Sequence, residues 1–225
     1  MKNLINWSDK NNFYFLTIAL VGYIFLAACL DQFRQGDGLR FLQVAMVLVL
    51  GAGIWQAKGK RLWYLTGIGF LFTTTILAFF SYWFEAEGLV SLYLCIVLCY
   101  LVLTSWTALK QVLFTGGIDS NKIVGAVCIF LLIGLSWAHL YTILNFWLTD
   151  AFNGVPKEHW STQMTDFIYF SFVTLTTLGY GEITPNTPIT RFFTYSEAVL
   201  GQFYMAILVA SLVGTRLSER ESENH

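Results

Sequence analysis

The stretch Thr174-Leu175-Thr176-Thr177-Leu178-Gly179-Tyr180-Gly181 joins hydroxyls, an aromatic ring and two glycines in three positions at the end of an apolar run. Glycines this close exclude an ordinary helix over 177–181. The preceding residues, Asp166 to Thr176, are apolar enough to bury yet too short to cross about 30 Å of hydrocarbon. The chain of 225 residues is 56% hydrophobic and 12% charged, about half the charge of a soluble domain. In such a chain, irregular backbone at membrane depth survives only where protein buries it or where it lines water. The chemistry on offer is that of a lined aqueous path rather than of bond making.

Other reactive groups do not assemble into a catalytic set. Glu197 lies within a long apolar segment, and an intramembrane carboxylate is a functional candidate by default. A hydrogen bond from Glu197 to the backbone of the short helix is the favoured role. His139 reads as a satisfied core residue rather than a proton sensor. Cys29, Cys95, Cys99 and Cys128 sit in apolar stretches without a metal-ligand pattern and read as small core residues. With no nucleophile–base pair or metal cluster at membrane depth, an enzyme is not expected. The net charge of −1 does not point to a partner, no basic run is long enough to suggest a nucleic-acid patch, and no nucleic-acid partner is expected.

These residues must be positioned by membrane helices. Six apolar segments, 13–30, 39–57, 62–84, 89–109, 123–148 and 190–214, are each long enough to span. Charged or turn-forming residues separate them, as at Lys58-Gly59-Lys60-Arg61 and Glu85-Ala86-Glu87-Gly88. The prediction is an all-α membrane protein with six transmembrane helices and a re-entrant segment between the fifth and sixth. Thr165 and Asp166 are placed to cap that short helix, expected over about 165–176.

Basic residues set the orientation. A cytoplasmic N-terminus puts Lys2, Lys10, Lys58, Lys60, Arg61, Lys110, Lys122, Arg216 and Arg220 inside, against Arg34, Arg40, Lys157 and Arg191 outside. Both termini are then cytoplasmic, in a multi-pass protein of the cell membrane surrounded by lipid. Trp63, Trp83, Trp147 and Trp160 fall near segment ends, as interfacial anchors do. Leu26-Ala27-Ala28-Cys29 is similar to a lipoprotein processing site, but Asp9 and the long polar leader favour a retained first helix.

The octet Thr174 to Gly181, between two long apolar helices and after a short helix, resembles the signature of the potassium channel pore family. The resemblance implies a homotetramer in which four loops meet on an axis and carbonyl oxygens replace the hydration shell of K+. Carried over, the ion-binding filter is Thr177, Leu178, Gly179, Tyr180 and Gly181. The carbonyls of Thr177 to Tyr180 and the Thr177 hydroxyl would ligate K+, with no organic cofactor. Successive carbonyls point one way only if backbone angles alternate in hand, which glycines permit. Tyr180 would brace the loop from behind, and Thr176 would support it. Two residues depart from the common pattern. Leu178 stands where valine is usual, and Glu182 replaces an aspartate that pairs with an aromatic donor, here Tyr169.

The resemblance extends to an outer helix at 123–148 and an inner helix at 190–214. Gly201 stands where a hinge glycine is common, though a helix-packing contact explains it equally well. Met205, Val209 and Val213 share one helix face and are expected to line an inner cavity. The expected units are 1–115, a four-helix bundle in the place of a voltage sensor, and 116–225, a pore domain. Leu89 to Leu109 contains no Lys or Arg, so the bundle lacks gating charge. No soluble ligand-binding module is expected after the last helix. A non-conducting regulatory subunit and a potassium-uptake transporter component are the competing readings.

Overall fold

The computed structural model describes residues 12–33, 38–56, 61–84, 87–114, 120–156 and 160–223. Helices α1 (Asn12–Phe33), α2 (Gly38–Gln56), α3 (Arg61–Phe84) and α4 (Glu87–Phe114) come first. They are followed by α5 (Ser120–Trp147), strand β1 (Phe152–Asn153), α6 (Trp160–Leu175), strand β2 (Thr184–Pro185) and α7 (Pro188–Glu223). Each of the first four packs on the next in a bundle whose α1 and α4 both lie against α5. Helix α6 then packs between α5 and α7.

The helices are apolar on more than one face. In α1, Leu16 and Leu20 are fully buried while Ile18 and Phe25 are exposed. The same division separates Leu94 and Leu101 from Leu92 and Val102 in α4. Exposed apolar surface on this scale does not suit water, and helices hydrophobic all round belong in a membrane. Three stretches among the described residues are long and apolar enough to cross: Phe13–Leu30, Gly88–Val112 and Asn121–Trp147. A shorter apolar helical stretch covers Tyr64–Phe80. Hydroxyls within the helices turn inward on the backbone: Thr73, Thr74 and Thr75 each donate to a carbonyl one turn earlier, at 2.7–2.8 Å.

Three sequence expectations change. The short helix starts at Trp160, so Thr165 and Asp166 lie within it rather than capping it. Its polar first turn is held by Gln163, which accepts from Asn145 of α5 at 3.1 Å and donates to the Pro156 carbonyl at 3.1 Å. Helix α7 continues past 214 to Glu223, because its charged tail of Glu and Arg consists of good helix formers. Cys95 and Cys99 are exposed on an outward face of α4 instead of buried in the core, whereas Cys128 is buried. Trp83 and Trp147 are exposed, and the Trp147 indole donates to Ser91 at 2.9 Å. The side chains of Trp63 and Trp160 lie outside the described residues.

Candidate ion pathway

Helix α6 is gripped on both sides by close contacts. A Cβ at Gly134 of α5 would meet the Phe172 ring at 2.6 Å, so only glycine lets the ring lie this near the α5 backbone. A Cβ at Gly201 of α7 would collide with the Leu175 carbonyl oxygen at the end of α6. The packing role of Gly201 therefore has a geometric basis in close helix approach.

Between these contacts sits Glu197, fully buried. Ser171 of α6 lies 2.5 Å from its Oε1, and the Tyr141 hydroxyl of α5 donates to Oε2 at 2.6 Å. The Ser171 oxygen is also 2.7 Å from the Gly134 carbonyl. Glu197 thus reaches α6 through side chains rather than through the backbone expected from sequence. The reason is that Ser171 projects from the helix flank, where backbone N–H groups are already used. Tyr141 also joins Phe152, Phe167 and Phe170 in an aromatic cluster with ring centroids 5.0–6.3 Å apart. His139 is buried, and its Nδ1 donates to the Leu135 carbonyl at 2.8 Å.

The end of α6 determines the backbone that follows. Thr177 N–H donates to the Thr174 carbonyl at 2.9 Å, and Leu178 N–H to the Val173 carbonyl at 2.9 Å. This pair of bonds is a Schellman cap, with Thr177 in the left-handed position that glycine usually takes. Its φ is 59°, and a non-glycine residue held there costs on the order of 1 kcal/mol or more. Positive φ then recurs at Gly179 (54°) and Gly181 (93°), while Leu178 and Tyr180 between them remain negative. Gly179 N–H also turns back, reaching the Val173 carbonyl at 3.3 Å. The backbone from 177 to 181 therefore alternates in hand, and its first three N–H groups are engaged by the helix. Leu178 and Tyr180 are 54% and 64% exposed.

Supports flank this loop. The Tyr169 hydroxyl donates to Glu182 Oε1 at 3.2 Å. The Thr176 hydroxyl donates to the Phe172 carbonyl of its own helix at 2.7 Å. Beyond the loop, β1 and β2 pair antiparallel, matching Phe152 with Pro185 and Asn153 with Thr184. Asn186 N–H and the Thr190 hydroxyl both donate to the Ala151 carbonyl, at 2.9 and 3.0 Å. On the opposite side of the loop, Gln202 Nε2 of α7 donates to Thr177 Oγ1 at 3.4 Å. Met205 is half-exposed, and the side chains of Val209 and Val213 lie outside the described residues.

The family model described as "Ion channel" matches residues 125–217, a stretch that begins in α5 and ends in α7. The chain is 33% identical over 105 residues to two-pore potassium channel 2 of Arabidopsis thaliana, covering 46% of this chain and 22% of that protein. It is 34% identical over 80 residues to two-pore potassium channel 3 of the same plant, covering 36% and 18%. Residues 125–217 are thus similar to ion channels, and the chain resembles potassium channels in part. A third relative, two pore potassium channel c of Oryza sativa subsp. japonica, is 40% identical over 58 residues, 26% of this chain and 13% of that protein. The chain spans about a fifth of the length of the first curated relative it matches, and less of the other two. No solved structure matches it.

The matched segment covers most of both helices that clamp α6 and the entire 177–181 loop, whereas α1 to α4 lie before it. Sequence reasoning had singled out Glu197, Tyr169 and Glu182 but missed Ser171, Tyr141, Phe152 and Gln202. Ser171 left a usable signal, a lone hydroxyl between Phe170 and Phe172. Tyr141 left none among so many aromatic residues.

Proposed function

We propose that this chain is one subunit of a potassium-selective channel in which four identical copies surround a central pore. The observation that carries the reading is the alternating-hand backbone at Thr177, Gly179 and Gly181, capped onto the end of α6. Alternation lets the carbonyls of Thr177, Leu178, Gly179 and Tyr180 face one axis, where with the Thr177 hydroxyl they replace the water of K+. The C-terminal end of α6, carrying the negative end of its dipole, favours a cation beside the loop. Exposure of Leu178 and Tyr180 in the single chain supports assembly, since neighbouring copies would cover them.

In this reading six helices cross the membrane, α6 enters and returns, and both termini are cytoplasmic. Residues 116–225 form the pore unit and 1–115 the bundle beside it. Glu197 with Ser171 and Tyr141, Tyr169 with Glu182, and the β1–β2 pair hold the filter rigid against the pull of the ion. Gly201 seats the inner helix against α6, and Met205, Val209 and Val213 line the cavity below. The bundle carries no gating charge in Leu89 to Leu109, so opening is not steeply voltage-dependent.

The test is single-channel recording of purified protein in planar bilayers under mixed K+ and Na+, with native mass spectrometry for subunit number. Potassium-selective current from a tetramer is expected. Equal permeability to the two ions, or silence from correctly assembled protein, would refute this function, and silence would favour the regulatory subunit.

A further inference from the structure

Gln202 is a primary amide in an otherwise apolar run of α7, Ala198 to Leu200 before it and Phe203 to Ala210 after it. Its neighbours Phe203, Met205 and Ala206 are exposed in the single chain, as Gln202 is itself. An exposed amide at membrane depth is costly unless it faces water or a partner. Gly201 supplies the geometric constraint. Its backbone is pressed against the Leu175 carbonyl, which fixes the rotation of α7 at this height. The next residue is thereby held beside the turn that joins α6 to the loop. There Gln202 Nε2 donates to Thr177 Oγ1 at 3.4 Å, joining the inner helix to the first residue of the loop across 25 positions of sequence.

We infer that Gln202 sets the cation preference of the innermost binding site, an inference that rests on the channel reading above. A hydroxyl oxygen that accepts an amide N–H keeps a second lone pair for a cation. The Thr177 hydroxyl is thereby tied to the inner helix by this amide. In a tetramer, four amides ring the path immediately inside the four Thr177 hydroxyls. The amide oxygens add hard, neutral ligands for an ion or for its remaining water. Residues three and seven further along α7, Met205 and Val209, share the Gln202 face. The wet side of the inner helix thus begins at Gln202, one turn above the cavity residues read from sequence.

Barium is the probe, since it is a divalent ion close to potassium in size. Wild-type channels, Gln202→Leu, Gln202→Glu and Thr177→Ala are recorded in planar bilayers with Ba2+ added on the cavity side. Gln202→Leu is expected to weaken barium block about tenfold. Gln202→Glu is expected to strengthen it about tenfold, from the attraction of a carboxylate roughly 6 Å from a divalent ion in a wet cavity. Gln202→Leu in the Thr177→Ala background should add little, as partners in one contact are not additive. Barium binding to the detergent-solubilised tetramers by calorimetry gives the same comparison for any variant that carries no current. Block and binding at wild-type concentrations in both Gln202 variants would overturn the inference, as would full additivity with Thr177→Ala. Absence of K+ current in the wild type would instead sink the channel reading and leave the calorimetric comparison to decide on Gln202.

Discussion

Ser171 Oγ and Glu197 Oε1 lie 2.5 Å apart with no access to solvent, joining α6 to α7. Ser171 has one hydroxyl proton and two acceptors in reach, Glu197 and the Gly134 carbonyl. A side chain that both donates and accepts at position 197 fits this geometry well. Tyr141 completes the set from α5, so three helices meet at one carboxyl group.

Glu197→Gln should therefore be tolerated, with its amide N–H serving Ser171 and its oxygen accepting from Tyr141. Glu197→Ala removes the acceptor of the Tyr141 hydroxyl, leaves Ser171 only the Gly134 carbonyl, and opens a buried cavity, at an expected cost of about 3 kcal/mol. Thermal dissociation of the purified assembly separates the two variants; equal loss in both would argue against the hydrogen-bond role.

Gly201→Ala tests packing against bending. The added Cβ runs into the Leu175 carbonyl, and overpacking of this kind costs about 1–3 kcal/mol. Lower thermal stability and disturbed conduction are expected together. If stability is unchanged while open probability shifts, the glycine acts as a hinge instead.

Gly179 has open space where a Cβ would go, so Gly179→Ala creates no clash within the chain. Its φ of 54° still penalises any side chain by about 1 kcal/mol, and four methyl groups would crowd the axis. Selective conduction should disappear while tetramers persist by native mass spectrometry. Normal potassium selectivity in this variant would remove the filter assignment.

Voltage steps provide a further check. Each elementary charge crossing the full field contributes about 2.3 kcal/mol per 100 mV, and α4 carries no basic residue between Leu89 and Leu109. Open probability should change little between −100 and +100 mV (about the span over which charged sensors act). Steep activation would require a sensor elsewhere in the chain.

Membrane character and the position of the loop were legible in the sequence because both depend on local facts. Charge content and apolar length report the solvent, and two glycines in three positions report a backbone that cannot remain helical. The lack of lysine and arginine from Leu89 to Leu109 needs no structure to notice. The start of α6 was not legible, because the polar turn around Gln163 looks like a loop until Asn145 and Pro156 are seen to hold it.

The tertiary structure decided the partnerships. Glu197 finds Ser171 and Tyr141 at sequence separations of 26 and 56, and Gln202 finds Thr177 across 25. Nothing in the local pattern ranks these pairs above many others, because hydrogen bonds between helices depend on rotation and height. Two glycines, Gly134 and Gly201, fix both by letting backbone meet side chain or carbonyl without an intervening Cβ. Sequence alone thus located the loop through local backbone chemistry. Only the packing of α5, α6 and α7 determined what holds it in place.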